Sequence, residues 1–180
     1  MLLTTHRSRT ARGLIRTALA AALLLCSWAM SGLTAAATAN SAQAAALVPG
    51  IYQIINVASH STLRAYNAGE AAFVSSTREY PGPFAHWKIT RSGDGYTIQN
   101  VGINGYAAVR WTEEGASVIT NNDAMVWTIA PAGGYTWVIQ APYRDLLWNV
   151  EPPVIPRGDV KLRPADGSVT QLWRFEYVSE

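Results

Sequence analysis

The residue types that carry most protein chemistry are scarce in this chain of 180 residues. It holds one cysteine, Cys26, and three histidines, His6, His60 and His86. A thiol nucleophile or a thiolate metal site would have to use Cys26. A Ser-His-Asp arrangement would have to use one of the histidines. His60 lies in the polar run Ala58-Ser59-His60-Ser61, a turn sequence, and His86 directly precedes Trp87, where it should face solvent or fill a seam. The two are not at the short spacing that places paired histidines on one metal. Adjacent carboxylates occur as Glu113-Glu114 beside Gly115, the composition of a solvated hairpin tip. Neither a dinucleotide fingerprint nor a phosphate loop is present. The expectation is therefore a protein with no catalytic residues, no metal and no cofactor, and not an enzyme.

The N-terminal segment narrows this further. Arg7, Arg9, Arg12 and Arg16 stand without an acid, an apolar run follows from about Thr17 to Leu33, and small residues fill Thr34–Ala46. A basic, then apolar, then small-residue order is that of a secretory leader. Ala37-Thr38-Ala39 and Ala42-Gln43-Ala44 both fit the cleavage motif, and the second places the boundary after residue 44. The apolar run is shorter than the roughly 20 residues a membrane-spanning helix needs. The expected organisation is a leader over 1–44, of bacterial style, and one folded domain over 45–180, exported and not held in a membrane. Removal of the leader takes away Cys26 and four arginines. Ten basic residues then face twelve acids, a formal charge of −2. The basic balance of the whole chain belongs to targeting and gives no support for a nucleic-acid partner. Without cysteine the domain must be held by its core alone, and at 136 residues it is expected to be one domain and a monomer.

What positions any functional residue is a repeat. Three segments open alike, at Gly50-Ile51-Tyr52, Gly95-Tyr96-Thr97 and Gly134-Tyr135-Thr136. Three close alike, at Trp87-Lys88-Ile89, Trp127-Thr128-Ile129 and Trp173-Arg174-Phe175. The opening tyrosines are 44 and 39 residues apart and the closing tryptophans 40 and 46. Each unit of about 40 residues reads as four short strands with alternating apolar positions, separated by Gly, Asn and Asp turns. Three such units are too few for a propeller, and closing them on one another removes their exposed edges. The predicted fold is all-β, a β-trefoil of three four-stranded repeats. Tyr52, Tyr96, Tyr135 and the closing tryptophans are predicted to lie in its core or barrel bottom.

On such a scaffold, function concentrates in loops. Two stand out by length and proline content: Ser75–Phe84, with Arg78, and Glu151–Asp159, with Ile155, Pro156 and Arg157. Proline lowers the entropy of a free loop and so the cost of binding. The matching connections of the second repeat are expected to be only a few residues long.

The run Pro49–Asn56, the Trp-x-Ile closures, Ile139-Gln140-Ala141-Pro142, Val160–Pro164 and the ending Trp173–Glu176 together resemble the β-trefoil serine protease inhibitors of mushrooms, of the cospin or mycospin type. The resemblance implies inhibition of a secreted serine protease by a protruding loop. It assigns that role to the loop between strands two and three of the first repeat. Here this stretch reads Leu63-Arg64-Ala65-Tyr66-Asn67-Ala68-Gly69-Glu70. Arg64 is its one basic residue and falls at or just before the loop; Ala65, Tyr66 and Asn67 fall nearer the implied position.

A second resemblance is to ricin-type trefoil lectins, carried by Val160-Lys161-Leu162, Asp166-Gly167 and the Gln-x-Trp signature at Gln171-Leu172-Trp173. It implies a carbohydrate partner and a sugar site in the third repeat at Trp148 and Asn149. The positions expected to match Asn149 in the other repeats are Ala65 and Arg110.

Overall fold

A computed structural model describes residues 46–77 and 80–179. The expected leader and Arg78 lie outside the described residues, and residues 46–179 belong to a compact unit that begins at Ala42.

The described residues form twelve strands in three sets of four. The first set is β1 Gly50–Asn56, β2 Thr62–Arg64, β3 Phe73–Ser75 and β4 His86–Ser92. The second is β5 Gly95–Asn100, β6 Tyr106–Ala108, β7 Ile119–Asn121 and β8 Thr128–Gly133. The third is β9 Thr136–Gln140, β10 Leu146–Val150, β11 Arg157–Pro164 and β12 Trp173–Ser179. The helices among the described residues are two single 3-10 turns, Gly82–Ala85 and Val169–Gln171.

The first and last strands of each set form a closed barrel. β1 pairs with both β4 and β12, β4 with β5, β8 with β9, and β9 with β12. The remaining seam, between β5 and β8, is closed by reciprocal 2.8 Å hydrogen bonds between the backbones of Tyr96 and Trp127. The backbones come so close here that a Cβ on Gly95 would stand 2.5 Å from the Trp127 carbonyl oxygen, which is why a repeat opens on glycine.

The middle strands form three hairpins, β2–β3, β6–β7 and β10–β11, that cap the barrel. They meet in a ring: Ala72 N donates to Val118 O at 2.8 Å, Val118 N to Val160 O at 2.9 Å, and Val160 N to Ala72 O at 3.3 Å. That ring marks a three-fold axis. The fold is the β-trefoil.

The closing tryptophans do one job three times. Each is fully buried, and each indole N–H donates to the carbonyl of its own repeat's second strand: Trp87 to Leu63 at 3.0 Å, Trp127 to Ala107 at 2.8 Å, Trp173 to Trp148 at 3.2 Å. A buried indole with its N–H satisfied contributes packing area without an unpaired polar group.

These bonds set the true correspondence between repeats. Leu63, Ala107 and Trp148 are equivalent, so Asn149 matches Arg64 and Ala108, one or two residues before the expected Ala65 and Arg110. The residues facing Trp87, Trp127 and Trp173 are Tyr52, Tyr96 and Trp137. Tyr135, expected in the core, is 96% exposed with φ +59°. It sits in the two-residue turn Gly134-Tyr135 of the β8–β9 hairpin, which follows an irregularity in β8 between Pro131 and Gly133.

Candidate functional site

The connection from β2 to β3, residues 65–72, is built to hold one shape. Ala65 is buried and its N–H donates to Phe84 O at 3.1 Å. Tyr66 through Glu70 are exposed. Beneath them sits Thr120 of β7, fully buried. Its hydroxyl donates to Asn67 O at 2.8 Å, its N–H to Glu70 O at 3.1 Å, and its carbonyl accepts Gly69 N–H at 2.7 Å. Gly69 takes φ +82°, where a side chain is strained. Above, Asn67 Nδ2 donates to Glu70 Oε2 at 3.0 Å.

Thr120 breaks the three-fold pattern. It faces Ala107 across its hairpin as Val74 faces Leu63 and Leu162 faces Trp148. Val74 and Leu162 are fully buried aliphatics. A hydroxyl at this core position would go unpaired if it had no acceptor, and here it has the loop carbonyl.

On its flank the loop is braced by rings. Tyr66 packs between Phe73 and Phe84, with centroids 5.8 and 5.2 Å away, and remains 40% exposed. Phe73 in turn lies under Arg157, whose guanidinium carbon is 4.1 Å from the ring centroid.

The candidate arginines are therefore not equivalent. Arg64 closes β2 and is buried; its guanidinium donates to the hydroxyl and the carbonyl of Thr77, both at 3.0 Å. It does not project from the loop. Arg157 opens β11 and pairs with Asp159 at 3.2 Å on the surface. The two loops singled out by different signals meet at β3, which pairs with β2 on one side and β11 on the other, Arg157 opposite Ser75. Pro156 O accepts from Ser75 Oγ at 3.2 Å and Ser76 N at 3.3 Å, leaving Ile155 81% exposed.

The third-repeat residues are differently placed than expected. Trp148 is completely buried, edge-on to Trp127 and Trp173 at 5.0 and 6.0 Å, so it offers no face to a sugar. Asn149 is almost buried: its Oδ1 accepts from Thr170 Oγ1 at 2.7 Å and its Nδ2 donates to Glu151 at 3.3 Å. Arg163 Nε donates to the same Glu151 oxygen at 2.7 Å, and this bond holds the Glu151 carboxyl below its ordinary range. Gln171 of the Gln-x-Trp signature donates to Pro164 O and accepts from Asp166 N, fixing the turn before β12.

An exposed aromatic does stand over a cleft, in the second repeat. Trp111, 59% exposed, lines a hollow of about 550 Å³ with Arg110, Glu114 and Ser117. The connection from β6 to β7 that carries it spans residues 109–118, longer than the short turn expected there. His60 is exposed in a turn with φ +53°, and His86 begins β4 half-buried. Among the described residues no group of three or more His, Cys, Asp or Glu converges as metal ligands would.

Residues 43–121 match a family model described as ricin-type beta-trefoil lectin domain-like. No curated protein matches the chain. The fold is similar to that of a ricin B-like lectin from Macrolepiota procera solved in complex with lactose. That likeness has a TM-score of 0.67 and 17% identity over 74% of this chain and 100% of that one. It is similar also to the Rhizoctonia solani agglutinin, at TM-score 0.66 and 20% identity over 74% and 99%. A proteinase inhibitor from Coprinopsis cinerea aligns at TM-score 0.59 and 16% identity over 74% and 100%.

Proposed function

We propose that this is a secreted, monomeric inhibitor of serine endopeptidases, delivered by the leader over residues 1–44, with residues 66–70 as its inhibitory loop. The observation that carries the reading is Thr120. A buried hydroxyl replaces an aliphatic core residue at the one place where it grips this loop from below. A protease groove gains most from a loop already in its bound shape, because the ordering cost has been met during folding.

The chemistry follows from which groups face out. Asn67 O turns inward to Thr120, so this oxygen is not presented to the oxyanion hole of a protease. A protease approaching here meets exposed side chains, Tyr66 and Asn67 foremost, over a backbone that is held in one shape. Binding is then reversible and hydrolysis of the inhibitor slow. With Arg64 folded inward, no arginine of this loop is offered to an acidic specificity pocket, so an apolar or small polar pocket suits it better. The protein itself turns over nothing and needs no cofactor.

The test is an inhibition constant for the protein against trypsin, chymotrypsin and subtilisin, with Tyr66→Ala and Asn67→Ala beside it. Submicromolar inhibition of at least one, lost in a loop variant with unchanged melting temperature, supports the proposal. Absence of inhibition at micromolar concentration ends it.

A second reading has its own observation. Trp111 with Arg110, Glu114 and Ser117 offers an aromatic face beside polar groups, the combination that holds a sugar ring. A glycan array on wild type and Trp111→Ala tests it; binding that the substitution abolishes would favour a lectin.

A further inference from the structure

A five-residue loop is too small to be the whole contact. Stable protein–protein interfaces engage about 20–30 residues on each side. Residues 66–70 must be joined by neighbouring surface, and β3 determines which surface that is. From Tyr66 the ring of Phe73 is 5.8 Å away, and from Phe73 the Arg157 guanidinium is 4.1 Å away. Ile155 is two residues from Arg157, at most about 7 Å along the chain. Tyr66 and Ile155 thus lie within a single interface footprint.

The 152–157 loop is also held rigid. Its exit is tied by Pro156 O to Ser75 and Ser76, and its entry by the hydrogen bond from Glu151 N to Asp159 O at 3.1 Å. Val154 turns inward and packs against the core, and its side chain stands 3.2 Å from where a Cβ on Gly158 would be. One aliphatic side chain, Ile155, is left standing in water at 81% exposure between prolines. Such a bare apolar side chain on a fixed loop gains from burial against another apolar surface and loses little entropy in doing so.

We infer that the 152–157 loop is a second contact on the same protease, with Ile155 seated on an apolar patch beside the substrate cleft. This rests on the inhibitory reading of residues 66–70. The protein would then be held at two points, one in the cleft and one outside it, and would keep a residual grip on a protease whose cleft is blocked.

The experiment measures binding of wild type, Ile155→Asp, Asn67→Ala and the double variant to whichever of trypsin, chymotrypsin or subtilisin the wild type inhibits. Each is measured with the active site free and with it blocked by phenylmethylsulfonyl fluoride. Ile155→Asp is expected to weaken binding to the free enzyme about ten- to a hundredfold, the ratio that corresponds to losing one buried aliphatic side chain. It should leave the melting temperature unchanged. Weak binding of wild type to the blocked enzyme should persist and disappear in Ile155→Asp, while Asn67→Ala leaves it in place. If Asn67→Ala weakens binding and Ile155→Asp stays within twofold of wild type, the second contact is refuted and the primary loop stands. If the wild type inhibits none of the three enzymes, the primary reading falls and this inference falls with it.

Discussion

Replacing Thr120 with valine isolates what the clamp contributes. The two side chains have nearly the same shape, and the equivalent positions Val74 and Leu162 show that an aliphatic residue packs there. The substitution deletes one hydrogen bond, from the hydroxyl to Asn67 O at 2.8 Å, and leaves both backbone bonds of Thr120 to the loop intact. Asn67 O keeps a longer bond from Glu70 N at 3.4 Å, and Asn67 itself is solvent-exposed, so the acceptor is not stranded. A single intramolecular hydrogen bond contributes about 0.5–1.5 kcal/mol net. If that amount keeps the loop in its binding shape, the inhibition constant rises about three- to tenfold, since 1.4 kcal/mol is about a factor of ten. The melting temperature should fall by no more than about 2–6 °C for a domain of this size. Steady-state inhibition and amide exchange at Gly69 and Glu70 are read on the same samples. Faster exchange at those amides with an inhibition constant within twofold of wild type would refute the idea that pre-ordering of this loop drives binding.

Other outcomes follow from the same structure. Trp87→Ala, Trp127→Ala or Trp173→Ala should each cost about 3–5 kcal/mol, against a total stability of about 5–15 kcal/mol, and should sharply lower the melting temperature; wild-type melting in any one would contradict its role as a core residue. The carboxyls of Glu151, held low mainly by Arg163, and Asp166, held low mainly by the Ser168 backbone N–H, stabilise the folded state above their ordinary values near 4.5 and 3.8. That contribution is lost as pH falls through the lowered folded values. Thermal unfolding between pH 7 and pH 3 should show this acid loss, and Glu151→Gln should flatten part of it; an unchanged slope would show that the Arg163 contact carries no stability. No ester, peptide or glycosidic substrate should be turned over, and activity that vanishes in His60→Ala or His86→Ala would overturn that expectation.

The architecture was legible because its markers are residues whose loss empties the core. The closing tryptophans repeat since each must fill the same space and find the same carbonyl, and their period survives loops of different length. Tyr135 misled because local pattern does not separate the second residue of a hairpin turn from the first residues of the strand that follows; Trp137, two positions on, fills the place that Tyr52 and Tyr96 fill. Trp148 misled for the opposite reason, an aromatic next to a polar strand end that points into the core. Arg64 was recognisable as the loop's one cation, but its direction depends on Thr77, thirteen residues away. Thr120 carried no signal of its own, since threonine is an ordinary strand residue. Its importance depends on a loop 53 residues earlier in the chain and on what the other two repeats place at the same point.

The most direct measurement is a set of inhibition constants for wild type and for a variant with residues 66–70 replaced by glycines and serines, against trypsin, chymotrypsin and subtilisin, on samples shown to melt alike. Reversible submicromolar inhibition by wild type of at least one enzyme, abolished by the replacement, is the expected result. Inhibition that survives the replacement, or none from either protein, contradicts the assignment of function to this loop.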